Sequence, residues 1–285
     1  MSIDIIFVTT DWLAERLDDP EIAIVDGSWH LPGAGRDGAR EFADAHIPGA
    51  VFLDIDAVRD TASPYPHMLP SPDMFAEAAG ALGLTETMTI VVYDGAGLFS
   101  APRVRWMLKA FGARDVRLLE GGFPKWREEG RPTQSGPASR SPLRFEARFD
   151  ASGVVDASRV SEALQAASAQ VVDARPADRF RGDAPEPRPG VRSGHMPGSL
   201  NLPFPQIVEG GRLKEPAAIE AALLAAGVDP ARPVITSCGS GVSAAIVGLA
   251  LESVGRPQAG LYDGSWGEWG ARQDLPLATG PTSKG

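Results

Sequence analysis

The sequence predicts an α/β fold made of two tandem domains, each a mainly parallel β-sheet flanked by helices. Short hydrophobic strands alternate with helical segments along the chain of 285 residues, and such runs are typical of parallel sheets covered on both faces. The same order of elements occurs twice. The offset between matching residues drifts only from 149, between His46 and His195, to 143, between Glu120 and Asp263. The chain therefore carries two copies of one α/β unit.

The first copy opens with a predicted helix over Thr10–Leu17, capped by Thr10 or Asp11. Further helices are predicted over residues 72–82 and 101–111. The predicted strands are short apolar runs that are bounded by turn residues or end in an acid: Ile22–Asp26, the turn and strand of His46–Asp54, Thr89–Asp94 and Val116–Leu119.

The second copy repeats this order, with a helix over Ser158–Ala166 and a strand over Val171–Arg175. Its stretch Val234–Cys238 matches Ile90–Asp94 of the first copy, and Asp263–Trp269 matches Glu120–Trp126. Between the copies, residues 131–150 are rich in Pro, Ser and Arg, as interdomain linkers are. We therefore expect domains over residues 1–130 and 151–285, joined by a linker over 131–150.

Composition excludes several functional classes. The formal net charge of -10 argues against nucleic-acid binding. One cysteine cannot form an internal disulfide, and Met1–Asp11 lacks the basic region of a secretory signal. The apolar runs are too short to span a membrane, and four scattered histidines give no metal-ligand spacing. We expect a cytoplasmic protein without a metal or organic cofactor.

The stretch Val234–Ala244 holds that single cysteine, Cys238, between a β-branched run and an apolar helical segment over Ala244–Leu251. Gly239 and Gly241 flank a tight turn there, and backbone N–H groups in such a turn form an anion-binding nest at a helix N-terminus. This setting favours a thiolate, so Cys238 is predicted to be a nucleophile. The alternative is a buried cysteine that only fills space.

Several other residues are predicted to have structural rather than catalytic roles. The first copy has Asp94 where the second has Cys238, so the first copy cannot carry the nucleophile. A phosphatase of the Cys-x5-Arg type needs arginine at position 244, which is Ala244. Three further pairs of residues recur in both copies. His46 and His195 are predicted to stabilise turns, and Asp26 and Asp173 to pair locally. Trp126 and Trp269 are predicted to pack in the core.

The tandem repeat, the two His-x-Pro-Gly turns and the single-cysteine loop resemble the two-domain rhodanese-type sulfurtransferases over nearly the whole chain. The loop Cys238–Ser243 is similar to the Cys-Gly-Ser-Gly-Val-Thr loop of the 3-mercaptopyruvate branch, with serine for threonine. The thiosulfate branch usually has basic residues after the cysteine, as in Cys-Arg-Lys-Gly. Gly239 and Ser240 stand there, so the resemblance favours 3-mercaptopyruvate.

The resemblance also implies site residues. Arg179 and Arg188 match the positions that hold the substrate carboxylate, and guanidinium groups suit a carboxylate with an adjacent carbonyl. Asp56, His67 and Ser240 match a proposed proton relay. The ordinary alternatives are solvated charges for the arginines, a loop-stabilising role for His67 and a helix cap for Asp56. The loop residues expected to contact the substrate are Gly239, Gly241, Val242 and Ser243.

The implied activity is 3-mercaptopyruvate sulfurtransferase, which moves sulfur through a Cys238 persulfide to a thiol, thioredoxin or cyanide and releases pyruvate. Two alternatives stay open. One is a thiosulfate:cyanide sulfurtransferase, which shares the persulfide. The other is a non-catalytic sulfur-binding or regulatory module, as degenerate copies of this domain can be.

Overall fold

Two compact units make up the chain, in a computed structural model that describes residues 6–282. The first comprises the chain up to Thr61, Leu69–Asp150 and Gly210–Arg212; the second comprises Ala62–Met68, Ala151–Glu209 and the chain from Leu213. Residues 1–5, part of the N-terminal stretch weighed above, lie outside the described residues. The short segment Ala62–Met68 thus belongs to the second unit although it precedes most of the first.

The first unit is a five-stranded parallel sheet with strand order β1-β5-β4-β2-β3. Its strands are β1 Phe7–Val8, β2 Ile22–Asp26, β3 Val51–Phe52, β4 Thr89–Tyr93 and β5 Asp115–Leu119. Its helices are α1 Thr10–Ala14, α2 Gly38–Asp44, α3 Pro72–Ala81, α4 Ala101–Ala110 and α5 Gly122–Glu128.

The second unit has a five-stranded parallel sheet with the order β6-β12-β11-β7-β8. Its strands are β6 Val154–Val155, β7 Gln170–Asp173, β8 Leu200–Asn201, β11 Val234–Ser237 and β12 Gln258–Tyr262. A separate two-stranded sheet is formed by β9 Val208–Glu209 and β10 Arg212–Leu213, at the point where Gly210–Arg212 is assigned to the first unit. The helices of the second unit are α6 Ala157–Ala166, α7 Ala177–Arg181, α8 Pro216–Ala225, α9 Val242–Ser253 and α10 Ser265–Trp269, with 3-10 turns at Ala151–Gly153 and Phe204–Gln206.

The two sheets have the same topology, which confirms the predicted duplication of one α/β unit. In each, the strand that leads to the critical position is the middle one: β4 before Asp94 and β11 before Cys238. Both middle strands are almost fully buried, because a central parallel strand is covered on both faces. The loop after each strand therefore starts from a fixed point at the carboxyl edge of its sheet.

Some predicted boundaries were wrong. Helix α1 ends at Ala14 rather than Leu17, because the next turn tightens and the Arg16 N–H bonds to the Leu13 carbonyl at 2.9 Å. Helix α9 begins at Val242, ahead of the predicted start at Ala244. Helix α2 lies partly in a Gly-rich stretch for which no helix was predicted, and the Asp37 side chain caps it.

The stretch predicted to be a linker is grouped with the first unit. Phe145 is buried and packs edge-on against Phe75, with ring centroids 5.6 Å apart, and the Arg148 N–H bonds to the Phe111 carbonyl at 2.9 Å. The domain limits at residues 130 and 150 stay a prediction, but this part of the chain is held along the first unit.

The two tryptophans expected to pack are in the cores, Trp126 in that of the first unit and Trp269 in that of the second, and Trp266 packs in the second core as well. Among residues 6–282, no helix is long and apolar enough to cross a membrane. In that range, too, no group of three His, Cys, Asp or Glu side chains is arranged to hold a metal ion.

Candidate active site

Cys238 begins the loop Cys238–Gly241, which joins the middle strand β11 to helix α9 of twelve residues. Gly241 caps the helix with a left-handed φ of 78°, a conformation that costs glycine little. The thiol is free, and Cys238 is only 2% exposed. A buried cysteine alone would suit either interpretation of the sequence, so the neighbouring groups decide between them.

Unsatisfied backbone donors surround this cysteine. In the described part of the chain, no protein oxygen accepts a hydrogen bond from five consecutive N–H groups, those of Gly239, Ser240, Gly241, Val242 and Ser243. Buried N–H groups are rarely left without an acceptor, and the start of a helix adds partial positive charge. The loop therefore offers a site for an anion next to the sulfur of Cys238.

The segment after β12 clamps this loop in place. The Ser265 hydroxyl accepts a hydrogen bond from the Cys238 N–H at 3.2 Å and donates one to the Tyr262 carbonyl at 2.8 Å. The N–H groups of Trp266 and Gly267 donate to the carbonyls of Cys238 and Gly239, at 2.8 and 2.9 Å. Sequence reasoning gave this motif only a packing role, although its recurrence in both copies was a signal for more.

Two members of the predicted relay meet in the second unit. His67 lies in the segment Ala62–Met68, is 1% exposed and has a left-handed φ of 57°. Its Nδ1 lies 3.1 Å from the Ser240 Oγ and 3.4 Å from the Ser240 carbonyl oxygen. A left-handed backbone is uncommon for a residue other than glycine, and here it occurs in a histidine whose ring lies against the cysteine loop.

The third predicted member, Asp56, lies in the first unit. Its carboxylate accepts a hydrogen bond from the Trp29 indole Nε1 at 2.8 Å. Its part in the relay stays a prediction.

Arg179, on helix α7, is paired with Glu186. The Nε of Arg179 donates to the Glu186 Oε1 at 3.2 Å, and its Nη2 donates to the other carboxylate oxygen. The same Nη2 lies 3.3 Å from the point where a Cβ on Gly239 would stand, so the guanidinium lies directly beside the cysteine loop. Arg188, the other predicted carboxylate ligand, is half-buried in this unit, and its role stays a prediction.

Behind this pair lies a buried ion chain that the sequence did not reveal. Arg175 donates from Nη1 to the Glu186 Oε1 at 2.8 Å, and its Nε and Nη2 bond to Asp173 at 2.7–3.1 Å. Burial alone would lower the pKa of Arg175, but the charges of Asp173 and Glu186 outweigh it and raise that pKa above its ordinary value. Arg175 therefore stays cationic and fixed in the interior.

The first unit shows what became of the equivalent loop without a cysteine. The Asp94 carboxylate accepts hydrogen bonds from four backbone N–H groups at 2.7–2.9 Å, those of Ala96, Phe99, Ser100 and Ala101. The amides of the first copy are thus already satisfied by a side-chain anion, whereas those after Cys238 have no such acceptor.

The charges beside the two loops are reversed. Phe42 stacks on His46 and Phe180 stacks on His195, with ring centroids 4.1 and 4.0 Å apart, and each histidine Nδ1 lies within hydrogen-bond distance of the carbonyl of its phenylalanine. This match makes Glu41, which precedes Phe42, the equivalent of Arg179. Glu41 pairs with Arg36 at 2.7 Å, and the hydrogen bond from Arg36 lowers the pKa of Glu41.

The repeated aspartates pair locally, as predicted. Asp173 bonds to Arg175, two residues further along the chain. In the first repeat the equivalent aspartate is Asp26, and the residue two positions later is Ser28. The Asp26 carboxylate accepts hydrogen bonds from the Ser28 N–H, at 2.8 Å, and from the Ser28 hydroxyl. Burial raises the pKa of Asp26 to about 6, which outweighs these hydrogen bonds. The second unit therefore has the buried cation Arg175 two residues after its strand-ending aspartate, where the first unit has the neutral Ser28.

These features and two sequence matches define the class of protein. Residues 9–129 and 156–272 each match the rhodanese-like domain model. The chain belongs to the rhodanese-like domain family, and its fold is the tandem arrangement of two such domains.

Individual relatives can now be compared. A 3-mercaptopyruvate sulfurtransferase of Escherichia coli K12 is 47% identical over 272 residues, covering 95% of this chain and 97% of the relative. A thiosulfate sulfurtransferase of Bos taurus is 42% identical over 270 residues, covering 92% and 91%. The crystal structure of SseA from Escherichia coli, described as a 3-mercaptopyruvate sulfotransferase, has a TM-score of 0.86 and 44% identity, covering 92% of this chain and 99% of that one.

Proposed function

We propose that the chain is a sulfurtransferase that takes sulfur from 3-mercaptopyruvate onto Cys238 and passes it to a thiol acceptor such as reduced thioredoxin, or to cyanide. The observation that carries the proposal is the row of five N–H groups, Gly239 to Ser243, that find no acceptor among residues 6–282 and lie beside Cys238 and the guanidinium of Arg179. The naming of relatives at 43–47% identity supports the same donor.

The first half-reaction balances without an external oxidant. The Cys238 thiolate attacks the sulfur of 3-mercaptopyruvate, a sulfur–sulfur bond forms, and the carbon–sulfur bond breaks with its electron pair going to carbon. The resulting enolate takes up the proton that the donor thiol gives up, and pyruvate leaves. The persulfide on Cys238 then carries one negative charge on its outer sulfur.

Each site residue has a role in this step. Arg179 and Arg188 hold the carboxylate and keto oxygen of the donor, which fixes its sulfur near Cys238. The N–H groups of the loop stabilise the outer persulfide sulfur. The Ser240 hydroxyl and His67, with Asp56, move the proton to the enolate carbon.

The second half-reaction regenerates the enzyme. A thiol of the acceptor attacks the outer sulfur, the sulfur–sulfur bond breaks, and the Cys238 thiolate leaves. A reducing compartment such as the cytoplasm would supply this thiol and keep Cys238 reduced.

The decisive experiment uses purified protein and the Cys238→Ser variant. With 3-mercaptopyruvate, we expect the native chain to release pyruvate and to gain the mass of one sulfur atom, and the variant to do neither. Pyruvate release by the variant would reject Cys238 as the nucleophile. No mass gain and no pyruvate with the native chain would favour the non-catalytic module.

A thiosulfate:cyanide sulfurtransferase is the second candidate, because the bovine relative of that name is nearly as similar as the 3-mercaptopyruvate enzymes. A dianionic donor needs cationic side chains in the loop, and Gly239 and Ser240 provide none. Comparing turnover with the two donors at equal concentration separates the candidates. We expect 3-mercaptopyruvate to be preferred.

A further inference from the structure

We propose that Glu186 is a positioning residue, which holds the guanidinium of Arg179 against the Cys238 loop and so selects donors that carry a carboxylate. This inference rests on the proposed function, because it concerns how Arg179 meets the donor. It assigns a role to Glu186, for which the sequence indicated none. It also explains what the buried ion pairs behind the site do.

Glu186 uses both carboxylate oxygens at once. Its Oε1 accepts from Arg175 at 2.8 Å and from the Nε of Arg179 at 3.2 Å, while its Oε2 accepts from the Nη2 of Arg179. The Glu186 side chain is only 4% exposed, so water does not compete for these oxygens. Charge-assisted hydrogen bonds in such a dry place are strong and directional.

Arg175, at the other end of this row of ion pairs, is held by several contacts. The side chain of Arg175 is 1% exposed, bonds to Asp173 through Nε and Nη2, donates to the Gly194 carbonyl at 2.9 Å and lies over the ring of Trp266 at 4.5 Å. Because Asp173 ends strand β7, the sheet of the second unit holds Arg175 in position, and Arg175 in turn holds Glu186. Glu186 thereby transmits the position of the sheet to Arg179.

The atoms left over on Arg179 face the site. Glu186 takes the Nε–Nη2 edge of the guanidinium, and within the described residues no protein atom accepts from its Nη1. The Nη2 also lies beside Gly239. Arg179 therefore keeps N–H groups free to bind a carboxylate next to the loop. Because its side chain is already held in this orientation, little conformational entropy is lost when 3-mercaptopyruvate binds.

A substitution of Glu186 tests this arrangement. A glutamine has one acceptor oxygen and an NH2 group that would face a guanidinium donor, so it cannot serve both arginines. Arg175 is held by Asp173 in any case, and Arg179 is the partner that Glu186→Gln releases. Glu186→Asp keeps the charge but is one methylene too short to reach both, and it serves if Glu186→Gln folds poorly.

The primary readout does not require turnover. Because Cys238 is the single cysteine, its alkylation can be followed with iodoacetate, which carries a carboxylate, and with neutral iodoacetamide. The ratio of the two rates reports how well a carboxylate is held beside the sulfur. We expect Glu186→Gln to lower this ratio about tenfold, toward the value of Arg179→Gln, and to raise the KM for 3-mercaptopyruvate about tenfold with a smaller change in kcat.

The matched control is Glu220→Gln, which breaks a Glu–Arg pair of the same unit, with Arg256, away from the cysteine loop. It should leave the ratio unchanged. A ratio that stays at the native value in Glu186→Gln and Glu186→Asp, or that falls equally in Glu220→Gln, would overturn the proposal. Absence of pyruvate from the native chain would instead reject the proposed function, and the alkylation ratio would still measure the positioning.

Discussion

Gly122 and Ser265 are equivalent residues of the two repeats, and both adopt left-handed backbone conformations, with φ of 56° and 50°. The N–H of the next residue in each repeat bonds to the carbonyl of Asp94 or of Cys238. In the first repeat a Cβ at Gly122 would lie 2.7 Å from the Asp94 carbonyl oxygen, which only glycine avoids. The second repeat keeps a serine in this strained conformation, and its hydroxyl supports the Cys238 N–H.

We therefore expect Ser265→Gly to separate activity from stability. Glycine relieves the backbone strain but loses both hydrogen bonds of the hydroxyl, with the Cys238 N–H and with the Tyr262 carbonyl, so the free energy of unfolding should fall by no more than about 1–2 kcal/mol. Pyruvate release should fall by about tenfold, because the Cys238 N–H loses its acceptor and the loop is held less firmly. Urea unfolding and initial rates measure the two effects, and full activity in the variant would contradict the role given to the hydroxyl.

The Asp94 carboxylate should be a major stabilising group of the first unit. Replacement by alanine leaves four backbone N–H groups without an acceptor, and we expect the free energy of unfolding to fall by about 2–4 kcal/mol. Asp94→Asn retains one acceptor and should lose less. Urea denaturation of the two variants gives this order, and equal stability of Asp94→Ala and the native chain would refute it.

Asp26 should make stability depend on pH in an identifiable window. Burial raises its pKa from 3.8 to about 6, so the folded chain holds this proton more tightly than the unfolded chain. The corresponding stability is present below about pH 4 and is lost as the pH rises through about 6. The stability of Asp26→Asn relative to the native chain should therefore rise across this window, by on the order of 2–3 kcal/mol, and then level off.

Urea midpoints of both proteins between about pH 4 and 8 check this prediction. A difference in stability that does not vary with pH would mean that Asp26 keeps its ordinary pKa in the folded chain.

Gly239 should be intolerant of a side chain for a local reason. A Cβ there would stand 3.3 Å from the Arg179 Nη2, closer than ordinary contact. We expect Gly239→Ala to push the guanidinium away and to raise the KM for 3-mercaptopyruvate about tenfold, with little effect on turnover of thiosulfate. Steady-state kinetics with both donors measure this effect, and a parallel loss with the two donors would indicate general damage to the loop instead.

The hydroxyl of Ser240 should matter for proton transfer rather than for binding. Its Oγ lies 3.1 Å from the Nδ1 of His67. We expect Ser240→Ala to lower kcat for pyruvate release by at least about tenfold, with KM nearly unchanged. His67→Gln should have a similar effect, and the double variant should lose no more than the larger single loss. Additive losses would show that the two residues do not act together.

The longer strands of the first unit and the two strands that precede Asp173 and Cys238 could be predicted from the sequence, since buried β-branched runs such as Thr89–Tyr93 have few other possible structures, and the repeated order indicated two copies of one unit. The short strand β1 was missed because two residues carry no periodicity. Helix α2 was missed because its first turn follows glycines and depends on a cap by Asp37.

The site was only partly predictable for a different reason. Cys238 and its loop are contiguous in the sequence, and the glycines of the loop indicate a tight turn after a buried strand. The pairing of Glu186 with two arginines joins residues brought together by the fold, and no spacing rule indicates which of the many charged residues meet. The clamp by Ser265 joins residues from neighbouring strands in the same way, although the repetition of its motif pointed to a shared function.

The grouping of Ala62–Met68 with the second unit has a consequence for dissecting this protein. A fragment cut in the stretch 131–150 would contain Cys238, Ser240 and Arg179 but not His67, whose ring lies beside Ser240. Such a fragment would keep the Cys238 loop and lack the imidazole beside it, so a cut in this stretch does not separate the two compact units cleanly. Any truncated version built to retain turnover must carry the histidine segment with it.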